Sequence, residues 1–143
     1  MHLSKNLTRV VLKFKNIFRV LVVLLLSTKA NSQCPKSDAW IGGRLSGDFT
    51  KIVFQNQDHI NADRFCSGIN RETSIDSFYV MIIRDTTIIF KFKNIGQMFK
   101  NDLKNVIKTV EVYDKILFYD IWGTDYDGTK IFLNPLEYRL TEF

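Results

Sequence analysis

The chain has 143 residues, 45% of them hydrophobic, with two cysteines, two prolines and a formal charge of +5. That charge comes from residues 1–33, where Lys5, Arg9, Lys13, Lys15, Arg19 and Lys29 stand without an acid; residues 34–143 hold 14 basic against 15 acidic residues. The near-neutral remainder lacks the electrostatic footprint of a nucleic-acid binder, and it suffices for one hydrophobic core but not two.

The basic leader runs into Val20 to Leu26, then into small and polar residues through Ala30, Asn31, Ser32 and Gln33. This is the layout of a secretory signal peptide, cleaved near Ser32 or Gln33. The apolar run is far shorter than the ~20 residues of a bilayer span. The expectation is therefore an exported domain of residues 34–143 with no stable transmembrane span after signal removal. Cys34 lacks the apolar, small-residue context of a lipoprotein signal. Cys34 and Cys66 are the only cysteines, and in an oxidising envelope compartment they are a candidate disulfide, with two unpaired thiols as the alternative.

After a short polar lead-in at Pro35 to Asp38, the paired glycines of Trp40 to Leu45 predict a strand with a bulge, and Lys51 to Gln55 a second short strand. Asn56 to Thr73 is polar with scattered apolar residues and reads as an irregular connection with room for one edge strand. Ser77 to Ile83 is a continuous apolar run of strand length, which predicts a core strand covered on both faces. Arg84-Asp85-Thr86 then turns the chain. Ile88, Phe90 and Phe92 alternate with Ile89, Lys91 and Lys93 in a half-exposed hairpin partner.

From Gly96 the period changes: Phe99, Leu103, Val106, Ile107 and Val110 fall at helical spacing, predicting one helix over about 97–110. Its lysines read as a solvated face. Lys115 to Leu140 then reads as two strands joined by an Asp127-Gly128 turn. In the first arm Ile116, Phe118 and Trp122 are assigned one face and Leu117, Tyr119 and Ile121 the other. In the second, Leu136, Tyr138 and Leu140 alternate with Glu137, Arg139 and Thr141, and Pro135 suits a bulge or an edge.

This last hairpin, ILFYDIWGTDYDGTKIFLNPLEYRL, resembles the end of the C-terminal domain of GldM, the periplasmic shaft protein of gliding motility and type IX secretion. Upstream, IGGRLSGDF and IDSFYVMII resemble the same family's opening and central strands, so the resemblance spans roughly Trp40 to Leu140. One departure is Val112-Tyr113-Asp114, where the family usually places a Pro-Gly-Asp turn. The resemblance implies the tip of that shaft without its membrane helix or preceding domains, and hence an envelope protein as partner, with type IX secretion components as the candidates.

Chemistry is sparsely marked. His59 is the only histidine after the leader, no G-x-S-x-G turn marks a serine nucleophile, and Cys34, His59 and Cys66 do not reproduce zinc spacing. Asp125-x-Asp127-Gly128 begins like a calcium loop, but Lys130 and Leu136 stand where such a loop needs glycine and a bidentate glutamate. The acid pairs Asp120 with Asp125 and Glu111 with Asp114 could serve glycoside hydrolysis only if one carboxyl were buried and raised in pKa.

The fold expectation is mainly β: an immunoglobulin-like β-sandwich with one short helix, the alternative being a small α+β sheet. The functional expectation is a non-enzymatic, exported protein–protein interaction module of the bacterial cell envelope, with no catalytic residue, metal or cofactor. Tyr113 and Tyr126, in turns, are the expected interface residues. The alternative is a secreted hydrolase or ligand-binding protein on the same scaffold.

Overall fold

A computed structural model describes residues 37–66 and 69–142. The signal peptide expected over residues 1–33 and the expected Cys34–Cys66 pairing fall outside the described residues. Strands β1 (Asp38–Trp40), β3 (Asn61–Cys66) and β4 (Ile69–Glu72) form a small antiparallel sheet in the order β1-β3-β4. The large sheet has the order β2-β9-β7-β5-β6, with β8 also pairing β7. Its strands are β2 (Gly47–Thr50), β5 (Ser74–Arg84), β6 (Thr87–Ile95), β7 (Lys115–Thr124), β8 (Lys130–Leu133) and β9 (Leu136–Thr141). Among the described residues only β2 and β9 run parallel. Helices α1 (Lys51–Gln55) and α2 (Asn101–Ile107) complete a mainly β, sandwich-like arrangement.

The core lies on the inner face of the large sheet. Phe78, Val80 and Ile82 of β5, Ile116 and Phe118 of β7, and Leu136, Tyr138 and Leu140 of β9 are fully buried there with Leu103 and Ile107 of α2 and Ala39 and Ala62 of the small sheet. Phe49, Phe54, Phe78, Phe99, Phe118 and Tyr138 form a continuous ring cluster, with centroids 5.3–6.4 Å apart. Edge-to-face pairs of this kind are worth about 0.5–1.5 kcal/mol each beyond their area.

Between Trp40 and Arg84 four expectations are corrected. Gly42 and Gly43 do not bulge a strand: with φ of 54° and 77° they are the centre of a two-residue turn closed by mutual hydrogen bonds between Ile41 and Arg44. Lys51–Gln55 is helix, not strand. Asn56 donates its side-chain amide to the Ile52 carbonyl and Gln57 to that of Val53, so local bonds overrule β-branched propensity and leave only Phe54 buried. Asn56 to Thr73 holds the β3–β4 hairpin, disguised because Ala62 is the one small buried residue between half-exposed Asn61 and Asp63. And β5 is covered on one face only, since Tyr79, Met81 and Ile83 stay partly exposed.

Helix α2 is shorter than its apolar period. Phe99, Leu103, Ile107 and Val110 are all buried as expected, but Ile60 donates its amide to Gln97 and Phe99 donates its own to Asp58, which holds the N-terminal end extended. The β5–β6 and β7–β8–β9 hairpins form as expected. Asp125 to Thr129 closes the latter, with Gly128 at φ 86°.

The alternation of β7 breaks midway. Asp120 has φ 51°, and beyond it Ile121 is buried while Trp122 turns outward, the reverse of the faces expected from simple alternation. The partner arm breaks at the same level, at Asn134-Pro135, so the register from Phe118↔Leu136 to Ile121↔Leu133 is preserved. Pro135 has no amide to donate there. Strand β5 also shifts register against β7 between Ile75 and Tyr79.

Candidate interaction surface

The outer face of the large sheet carries three cross-strand rows. Ile95, Ser77, Trp122 and Phe132 form one; Lys93, Tyr79 and Tyr119 the next; Lys91, Met81, Leu117 and Glu137 the third. The sequence dictates this face through period-2 alternation of β5 and β6, and through the Asp120 break that swings Trp122 onto it. Trp122 is 44% exposed, Phe132 56% and Ile95 55%, so large apolar side chains remain in water on a rigid sheet.

The rings are pre-ordered. Tyr79 and Tyr119 stack at 5.5 Å, Lys93 Nζ lies 5.3 Å from the Tyr79 centroid and Lys91 Nζ 5.9 Å from that of Tyr119. Trp122 meets Phe132 edge-on at 5.3 Å and donates its indole N–H to Asp120 Oδ1 at 3.0 Å. Among the described residues the enclosed Tyr119 hydroxyl has no hydrogen-bond partner. Fixed aromatics with few free rotamers suit contact surfaces, because little entropy is lost when they are covered.

Tyr113 and Tyr126 are exposed, at 66% and 55%, but the structure places them apart from these rows. Tyr113, at φ 73°, donates its amide to Leu140 and lies under the Arg139 guanidinium, 5.5 Å from its ring centroid. It borders a cleft of about 430 Å³ holding Arg84, Glu111 and Asp114. Arg84 binds Asp114 through two nitrogens at 2.9 Å each and Glu111 at 2.8 Å. Burial raises the Asp114 carboxyl, but the Arg84 bonds and the Glu111 amide outweigh it and leave the group below its ordinary value. A general acid needs the opposite shift.

Tyr126 borders a second cleft, of about 480 Å³, with Trp40, Asp63, Glu72 and Asp125. Asp125 is buried and accepts from the Tyr126 amide at 2.9 Å and from Thr73 Oγ1 at 3.4 Å. Asp120 belongs to the outer face instead, so the structure does not bring that acid pair together. His59 pairs with Asp58 at 2.5 Å in the segment bridged to Met98. Among the described residues no group of three or more His, Cys, Asp or Glu side chains is placed to hold a metal ion, and no helix is long and apolar enough to cross a membrane.

The outer face of β5 was hidden in the sequence because the run Phe78 to Ile83 carries no charged residue to mark a wet side. The signal lay across the ladder: Lys91 and Lys93 pair with Met81 and Tyr79, which puts those residues on the lysines' solvent side. No protein-family model and no curated protein matches this chain.

Proposed function

We propose that the chain is a non-enzymatic, exported interaction module of the bacterial cell envelope, of the GldM C-terminal type, that meets a protein partner through the outer face of its large sheet. The observation that carries this reading is the pre-ordered array of Trp122, Phe132, Tyr79 and Tyr119 beside Lys91 and Lys93. Rigid aromatics flanked by cations are the composition of contact hot spots. Covering them returns about 25 cal/mol per Å² of apolar area removed from water.

The test is a photo-crosslinking residue at Trp122 or Phe132 in the native envelope, compared with one at exposed Lys108, just past the end of α2. Protein adducts from the sheet face, absent at Lys108, are expected. Type IX secretion components among them support the kinship as well as the interaction. Recovery of the chain only as a free extracellular monomer, without adducts from Trp122, overturns the reading.

A further inference from the structure

Among the described residues the large sheet ends at β2 on one side and β6 on the other. Strand β2 is four residues long; β6 has nine, and it carries exposed Ile88, Ile89 and Ile95 besides exposed Lys91 and Lys93. A long edge with unpaired backbone groups is a template for another strand.

The bond from the Gly96 amide to the Asp76 carbonyl, 2.7 Å, sets the phase of the ladder. In an antiparallel pair, alternate residues aim both backbone groups at the neighbouring strand and the residues between aim both away. Counting back from Gly96, Asn94 and Phe92 face β5, so Lys91 and Lys93 present their N–H and C=O groups to the free side, as does Ile95, whose carbonyl also takes a long bond of 3.5 Å from the Asn94 side chain. The same residues project their side chains on the aromatic outer face. Among the described residues neither lysine has a carboxylate within 4.0 Å; each lies over a tyrosine ring instead.

We propose that this edge receives an extended segment of a partner protein bearing acidic side chains at alternate positions, added as a further strand that prolongs the outer face. Backbone bonds to Lys91, Lys93 and Ile95 fix the register. Two carboxylates of the segment meet Lys91 and Lys93, and an apolar residue two positions further meets Ile95. A second copy fits poorly, because antiparallel self-pairing that uses the length of β6 sets lysine against lysine. The inference rests on the proposed interaction role and specifies the partner's chemistry.

The experiment uses the full chain and a short synthetic peptide alternating glutamate with valine, alongside its lysine counterpart. The glutamate peptide is expected to bind with salt-sensitive affinity and to slow amide hydrogen exchange at Lys91, Lys93 and Ile95. Reversing both charges (Lys91→Glu with Lys93→Glu) is expected to weaken it by about tenfold or more and to favour the lysine peptide. Lys93→Pro removes an outward N–H that an edge strand can forgo, and is expected to keep the fold while losing the peptide. Equal binding of both peptides, binding untouched by charge reversal, no slowing of those amides, or a dimer of the chain paired through β6 each overturns the proposal. Crosslinking at Trp122 reports on the broader reading independently, so adducts there with an indifferent β6 edge remove this inference alone.

Discussion

Arg84 sits between two carboxylates of unequal exposure: Asp114, only 1% exposed, and Glu111, 62% exposed. The buried partner matters more, since a carboxylate out of water depends on the bonds it accepts. Asp114→Asn is expected to cost about 1–3 kcal/mol, the range for disturbing charge-assisted buried bonds, measured by urea unfolding at neutral pH. Because the folded-state pKa of Asp114 is lowered, its contribution is present above the ordinary carboxylate value and is lost as pH falls through the folded one. The Asn variant is therefore expected to show a shallower acid limb of stability between neutral pH and pH ~2, while an unchanged limb counts against the pair. Tyr138 works at the other end of the scale. Burial pushes its hydroxyl from 10.0 up to about 12, and the hydroxyl donates to the Arg44 carbonyl at 2.6 Å. A raised pKa gives stability that is complete below pH 10 and is lost as pH rises toward 12, so Tyr138→Phe is expected to remove that alkaline slope.

Within the elements, β7 depends on one close approach. A Cβ at Gly123 would lie 2.7 Å from the Ser74 carbonyl and 3.1 Å from Thr73 Cγ2, and backbone cannot move aside as a flexible side chain can. Gly123→Ala is expected to cost about 1–3 kcal/mol by forcing β5 and β7 apart, read from the denaturant midpoint. No such constraint was visible beforehand, since a glycine in a strand marks several different needs. The β5–β6 and β7–β9 hairpins were legible because their turns carry Asp85 in the first and Asp127-Gly128 in the second, and their arms alternate. The face of α2 was legible too, from Phe99 to Val110, although its start was not, because the tertiary bonds from Phe99 to Asp58 and from Ile60 to Gln97 hold that end extended. α1 and the β3–β4 hairpin were illegible for opposite reasons: α1 is strand-like in composition but helical through its Asn56 and Gln57 bonds, whereas β3 has too little apolar surface to show a period.

At the scale of the whole molecule, the large sheet separates two apolar faces that substitution can distinguish. On the inner face Phe118 is fully buried among Phe54, Phe78, Phe99 and Tyr138, so Phe118→Ala is expected to cost about 3–5 kcal/mol, transfer plus cavity. On the outer face Trp122 and Phe132 meet edge-on and stay about half exposed, which no residue pattern foretold, because the Asp120 break that exposes Trp122 is a conformation and not a composition. Replacing both by serine forfeits one edge-to-face pair and the Trp122 bond to Asp120, about 0.5–1.5 kcal/mol each, and leaves the core intact. If the outer face meets a partner, the double variant is expected to remain folded by circular dichroism and thermal melting while its crosslinked adducts disappear. Retained adducts with lost stability would instead make the two rings part of the structural shell, and the contact surface would have to lie at the clefts of Tyr113 or Tyr126.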